Sequence, residues 1–222
     1  PYRAERGDLS TALTTNFRFY EEVASTYIKV EVGSDNYSRS LAVGSLELNR
    51  GVMLSALEVM KNDGPWVLPA DVDKVNFLTQ YTLDLHETQI KTAVTVYDNN
   101  WNSTDQIPQR QVLSGAMGRF GFVDPSLGGD SSRQNMVFEM SNDSYSAGLY
   151  LSRYKLNLFG NFTYFQEDPL NGDADEQVDR RWIYGGHFEF QRELTSRINL
   201  RTGTDMRSEQ IGEVSLHAVE NR

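Results

Sequence analysis

A side-chain period of two runs through this chain and constrains its fold more than any other feature. In "TYIKVEV", Ile28, Val30 and Val32 alternate with Lys29 and Glu31. In "QIKTAVTVY", Ile90, Thr92, Val94 and Val96 alternate with Lys91, Ala93, Thr95 and Tyr97. In "RRWIYGGHFEF", Trp182, Tyr184, Phe188 and Phe190 alternate with Arg181, His187 and Glu189. Successive strand side chains point to opposite faces, so each segment reads as a strand with one apolar and one polar face. The same reading places strands near 24–33, 36–48, 51–62, 74–84, 88–98, 133–142, 145–162, 178–193 and 196–208. They are long, about 10 to 18 residues against a usual 5–6. No capped segment of helical period stands out. The expected fold is all-β and antiparallel.

The links between strands carry further information. From the second strand onward, short links ("ELNRG", "DLHET", "SNDSYS", "ELTSR") alternate with long ones. The long ones are "NDGPWVLPADVDK", the stretch from Ser103 to Arg133 and "FTYFQEDPLNGDADEQVDRR". In an up-and-down meander this order puts every tight turn at one end and every long loop at the other. Outer-membrane β-barrels have that asymmetry, with short periplasmic turns and long extracellular loops. A soluble sandwich gives no reason for it. The aromatics Trp66, Tyr97, Trp101, Tyr145, Tyr164, Phe165 and Trp182 fall at the expected strand ends, where membrane-interface girdles lie.

Composition fits a membrane strand better than a membrane helix. Mean hydropathy is -0.52, and the longest apolar-rich run, Val52 to Met60, is far short of the roughly 18 residues a spanning helix needs. A transmembrane strand shows lipid only every second residue, so it leaves the mean low. The chain has no cysteine, which excludes a disulfide framework and thiolate metal sites. Its net charge of -10 argues against a nucleic-acid partner.

Several stretches resemble one family. "NWNSTDQIPQRQVLSGAMGRFGFVDPSLGGDSSR" is similar to an extracellular loop of bacterial TonB-dependent outer-membrane receptors. There a Trp leads to a "TDQIP-R-V" segment, a Gly, "RFG", "DP" and a Gly-Gly before the next strand. "DGPW-LP" (Asp63 to Pro69), "LNLFGNFTYFQEDPLNGDADEQVDRR" (Leu156 to Arg181) and "GSDNYSRS" carry the same likeness. "YRAERGDLSTALTTNFRFYE" (Tyr2 to Glu21) resembles the end of the family's plug domain.

The resemblance implies residues 1–22 as the C-terminal end of the plug. Residues 23–222 would be the first nine or so strands of a plugged up-and-down transmembrane β-barrel of roughly 22 strands. "LHAVENR" lacks the terminal aromatic that closes such barrels, so the chain reads as an excerpt of a longer receptor. The location implied is the bacterial outer membrane. The function implied is energised uptake of a scarce ligand, such as an iron–siderophore or other metal chelate. Outer-membrane lipid would be one partner, and TonB another through a segment outside this chain. Glu5, Arg6 and Asp8 of the plug segment would face lumen charges such as Lys29, Glu31, Lys91 and Glu189. The competing reading is a small structural or adhesive outer-membrane barrel without energy coupling.

Candidate ligand-binding residues come from the longest loop. Gln106, Gln109, Arg110, Arg119 and Phe120 offer donors, two cations and an aromatic platform in a locally basic stretch. Such groups suit an anionic or oxygen-rich chelate. No catalytic constellation is found, and the reading is not an enzyme. His86, His187 and His217 are not at metal-ligand spacing. "GGDSSR" (Gly128 to Arg133) reads as a tight turn, and "EDPLNGDADE" (Glu167 to Glu176) as a solvated acidic loop without Ca²⁺-site spacing. No cofactor or metal is expected.

Overall fold

The computed structural model of the protein describes residues 18–104 and 106–220. They form nine strands: β1 Tyr27–Val32, β2 Ser38–Leu48, β3 Gly51–Asn62, β4 Val72–Leu85, β5 Thr88–Asn102, β6 Gly128–Ser141, β7 Tyr145–Gly160, β8 Asp175–Thr195 and β9 Ile198–Ala218. One short helix, α1 (Gln109–Leu113), lies between β5 and β6. The strands make a single sheet in sequence order, each antiparallel to the next. The all-β, up-and-down architecture read from the sequence is therefore the one present. Residues 1–17 of the suggested plug segment, with Glu5, Arg6 and Asp8, lie outside the described residues.

Tight links sit at one end and long ones at the other. Asn49–Arg50, His86–Glu87 and Ser196–Arg197 are the short connections. His86 adopts φ 56, the left-handed conformation that a two-residue hairpin needs. At the β6–β7 turn, the Asn142 side-chain oxygen accepts from the N–H groups of Ser144 (2.8 Å) and Tyr145 (2.9 Å).

Register carries the sequence alternation across the whole sheet. Lys91 pairs with Glu139, Gly148 with His187, and His187 with Asp205. One face is thus polar from strand to strand, and Val94, Met136, Leu151 and Tyr184 run across the other. The sheet curls about the polar face. Gln80 on β4 and Asp205 on β9 line the same cavity of about 1240 Å³. The apolar face is convex and open, with Ile28 75% and Leu149 65% exposed.

The concave face is held by charge networks that cross strands. Arg39 on β2 donates from Nη1 to Glu31 on β1 (2.7 Å) and from Nε to Glu58 on β3 (2.8 Å). Glu58 also meets Lys74 (2.9 Å) and Asn76 (2.9 Å) on β4. On the far side, Arg181 holds Asp179 on its own strand and Glu209 on β9 (2.8 Å). Half-exposed pairs of this kind contribute only about 0–1 kcal/mol each. They specify which residues stand opposite, because a one-residue slip would turn them outward.

The chain before β1 lies against the concave face. Gln80 donates to the carbonyl of Tyr20 (3.1 Å), Lys91 pairs with Glu21 (2.5 Å), and Val23 N–H donates to Ser45 (2.9 Å). Phe19 reaches the same cavity.

Four expectations are corrected. "GGDSSR" is the start of β6: Gly128 pairs with Asn102 and Gly129 with Trp101, and a Cβ would stand 2.2 Å from the Trp101 carbonyl oxygen at Gly128 and 2.5 Å from the Asn157 carbonyl oxygen at Gly129. Any side chain would push a neighbouring strand away, so the two glycines allow the pairing to continue. β9 runs to Ala218, ten residues past the expected end. Its polar second half pairs with Asp175–Arg181, which prolongs β8 beyond the apolar zone. A helix, α1, occurs where none was expected. Of the seven girdle aromatics, Trp66, Tyr164 and Phe165 lie within long links, and Tyr97 and Trp101 share the concave face. Tyr145 and Trp182 stand on the convex face, Tyr145 at the start of β7 and Trp182 well inside β8.

Close packing on the concave face makes a test. The nearest atoms to a Cβ added at Gly185 would be the Met206 carbonyl oxygen at 2.3 Å and the Tyr150 hydroxyl at 2.6 Å. Gly185→Ala should therefore push β9 away and destabilise the sheet by about 1–3 kcal/mol. Gly118→Ala, with no atom within 4 Å, should leave the thermal unfolding midpoint unchanged. Equal midpoints for the two variants would contradict this packing.

Candidate functional site

The long links mix polar with apolar residues, and hydrogen bonds supply much of their order. Many of those bonds cross from one link to another. Val67 N–H donates to the Phe120 carbonyl (3.0 Å), and Asn102 N–H to that of Ala70 (2.6 Å). The Tyr164 hydroxyl donates to the carbonyl of Gln106. Trp66 and Phe120 meet edge-to-face, with ring centroids 5.8 Å apart. The β3–β4, β5–β6 and β7–β8 links thus form one connected layer over the end of the sheet.

A buried knot lies at its base. Asp124 is 1% exposed and Asn161 fully buried, with Leu127 beside them in sequence and burial. A lone carboxylate would be costly there. Asp124 instead accepts from Ser126 N–H (2.8 Å), Ser126 Oγ (2.6 Å) and Asn161 Nδ2 (3.0 Å). Asn161 Oδ1 in turn accepts from Tyr164 N–H (2.6 Å) within the β7–β8 link, so the Asp124–Asn161 bond ties the β5–β6 link to the β7–β8 link.

The acidic stretch Glu167 to Glu176 is organised rather than merely solvated. The Asp173 carboxylate accepts from the backbone N–H groups of Gln166 (2.8 Å), Glu167 (3.0 Å) and Asp168 (2.7 Å). Asp168 similarly accepts from Leu170 (2.9 Å) and Asn171 (2.9 Å). Desolvation works against the Asp173 charge, but the backbone donors and the Thr163 side chain outweigh it and lower its pKa to about 2. Asp168 is likewise held below the ordinary range, chiefly by the backbone N–H of Asn171. Among the described residues no group of three or more His, Asp or Glu is gathered closely enough to hold a metal ion.

Gln106, Gln109, Arg110, Arg119 and Phe120 are all exposed on this layer. Gln109 and Arg110 open α1, which follows Pro108 and ends at Ser114, where the N–H bonds back to the Arg110 carbonyl (3.1 Å). Proline suits the entry to a helix, having no N–H to satisfy. Gln106 contributes its carbonyl to Tyr164, and Phe120 contributes its ring to Trp66. Among the described residues neither the Arg110 nor the Arg119 guanidinium has an ion pair or hydrogen bond. The five share a layer but do not line either cavity on the concave face.

Sequence reading missed Trp66, Tyr164, Asp124, Asn161 and Asp173 as residues that shape this layer. The available signal was local: Asp124-Pro-Ser and Asp168-Pro-Leu-Asn are sequences in which an Asp side chain commonly accepts from the backbone just ahead of it. The sequence matches no protein-family model and no curated protein.

The Asp173 hydrogen bonds predict a pH dependence. A carboxylate whose folded pKa is depressed stabilises its loop fully above the ordinary value, 3.8, and loses that effect as pH falls through about 2. Amide exchange at Gln166, Glu167 and Asp168 should therefore be protected at neutral pH and accelerate, after correction for intrinsic rates, across this acid range. Asp173→Ala should show the unprotected rates already at neutral pH. Protection that survives the substitution would assign the loop's order to other contacts.

Proposed function

We propose that this chain is the wall and outer rim of a bacterial outer-membrane β-barrel that captures a scarce ligand on its long loops. The observation that carries the reading is the coincidence of two asymmetries. The convex face is a continuous exposed apolar band, and the long links all gather at one end. Exposed apolar patches much above a few hundred Å² are unusual on soluble proteins and mark a surface that is covered in use. In hydrocarbon the same face is at its lowest free energy, and a curled antiparallel sheet satisfies its backbone internally.

Strand dimensions support a bilayer. On β8, Trp182, Tyr184, Phe188 and Phe190 share the convex face, and the stretch they span matches the roughly 9–11 residues of a tilted transmembrane strand. Beyond Trp182 that face becomes polar, with Arg180 opposite Lys155. The strands continue past the band, and the loop layer would then stand in water outside the cell. The outer edges of β1 and β9 are unpaired among the described residues. Lipid does not tolerate such edges, so this reading requires further strands to complete a barrel.

The resemblance to TonB-dependent receptors supplies the finer proposal: energised import, with the chain before β1 leading in from a plug. The strap formed by Tyr20, Glu21 and Val23 along the concave face is consistent with that route. The ligand class proposed is an anionic or oxygen-rich chelate, met by the unpaired Arg110 and Arg119.

Two measurements test these levels separately. Val94→Arg, on the convex face, should cost about 2–4 kcal/mol of stability in a bilayer, whereas Ala93→Arg, directed into the concave cavity, should cost little. Equal costs would overturn the membrane reading. In the same membranes, a cysteine at Leu170 should label from the outside with an impermeant maleimide, and one at Arg197 should not. For ligand capture, Arg110→Ala with Arg119→Ala should weaken chelate binding by roughly 1–3 kcal/mol each, if each makes a charge-assisted hydrogen bond. Unchanged affinity in a folded protein would reduce the loop to a structural cover.

A further inference from the structure

The convex face contains a conflict of charge. Lys155 on β7 and Arg180 on β8 are direct register partners. Side chains so placed stand with Cβ atoms about 4.5–5.5 Å apart, and like charges there destabilise the pair. Arg153 adds a third cation on the same face, its guanidinium 5.4 Å from the centre of the Trp182 ring. Among the described residues a single acid touches the group: Glu213 on β9, 3.1 Å from Arg180. Among the described residues Lys155 has no ion pair or hydrogen bond. The nearest acid in its row on the other side is Asp98, separated from it by Ser132 on the intervening strand. Asp130, one row further on, accepts from Asn157 (3.1 Å).

The position of the cluster narrows its chemistry. Toward the short-turn end the same face carries Met136 (52% exposed), Leu151 (41%) and Leu149 (65%). Ser132 and Gln134 flank the cations on β6 and offer neutral hydrogen-bonding groups. The cations therefore stand at the line where the apolar band ends. A small anion would use the charges and leave the apolar skirt unexplained. An amphiphile with an anionic head uses both. Guanidinium groups match phosphate geometry, and an indole favours the boundary between apolar and polar surroundings.

We propose that Arg153, Lys155, Arg180 and Trp182 form a docking site for the phosphate headgroup of a membrane lipid, whose acyl chains lie along Met136, Leu149 and Leu151. The phosphate sits between Lys155 and Arg180 and turns their repulsion into shared attraction. This inference rests on the membrane reading above.

The test uses the protein in phosphatidylcholine bilayers containing either spin-labelled phosphatidic acid or spin-labelled phosphatidylcholine. Phosphatidic acid should be selectively immobilised at the protein. Lys155→Gln with Arg180→Gln should lower that preference by about tenfold or more. Lys61→Gln, which removes a cation already paired with Asp73 on the same face, should not change it. Lys155→Glu gives a distinguishing readout. It replaces repulsion with a cross-strand ion pair, so it should raise the thermal midpoint in phosphatidylcholine alone while abolishing the preference. A merely structural cluster would show no preference to lose. Insertion without discrimination between the two lipids would overturn the docking site and leave the membrane reading standing. Displacement of phosphatidic acid by inorganic phosphate would overturn the lipid assignment in favour of a small-anion site. Failure to insert in either bilayer would overturn this inference together with the membrane reading.

Discussion

Register is the constraint on which the remaining structure depends. With a side-chain period of two, displacement of any strand by one residue would exchange its faces, sending Lys91 outward and Val94 inward. The Arg39 link between Glu31 and Glu58 therefore matters more for what it forbids than for the stability it adds. In a slipped pairing these charges would face the apolar side without partners, at several times the free energy that the intact bridges contribute. The Arg181 cluster has the same role between β8 and β9, next to the register shift at Arg180.

The two halves of the molecule are stabilised by different physics. The sheet has few fully buried side chains, Leu54 among them. Its apolar surface faces outward, so it lacks the interior of a soluble domain. The loop layer is the reverse: its most buried groups are polar, and each oxygen of Asp124 is met by a donor. Hydrogen bonding with directional geometry holds the loops in place, whereas the sheet is held by its strand pairing and by the charge networks of its concave face. Arg110 and Arg119, the cations proposed to meet a ligand, are thus exposed on a framework that does not depend on them.

Sequence alone made the sheet legible because alternation is a local signal. Ile90 to Tyr97 and Trp182 to Phe190 declare both their faces without reference to a partner. It failed where pairing overrides composition. Gly128 and Gly129 read as a turn because glycine seldom favours a strand, yet the backbone carbonyls of Trp101 and Asn157 on the neighbouring strands leave no room for a side chain there. The expected ninth strand stopped near residue 208 because "RSEQIGEVS" carries no apolar stripe, and pairing with the polar extension of β8 beside it carries the strand on to Ala218. The candidate site was half legible. Arg110, Arg119 and Phe120 could be chosen by chemistry. The contact of Phe120 with Trp66, and that of Gln106 with Tyr164, join residues far apart in sequence and leave no local trace.

Because every strand pairs only with its neighbours in sequence, the sheet can grow hairpin by hairpin. A growing sheet of this topology keeps an open strand at each edge, and the next hairpin needs to close only a short loop to join it. The long links add a closure cost that rises only slowly with their length, and each must be spanned before its partner strand can pair. The β5–β6 connection is the largest of these. Its buried Asp124–Asn161 contact can form only after β7 has been laid down. The loop layer is thus a late event that records the successful addition of earlier strands, and its folding reports on the integrity of the wall beneath it.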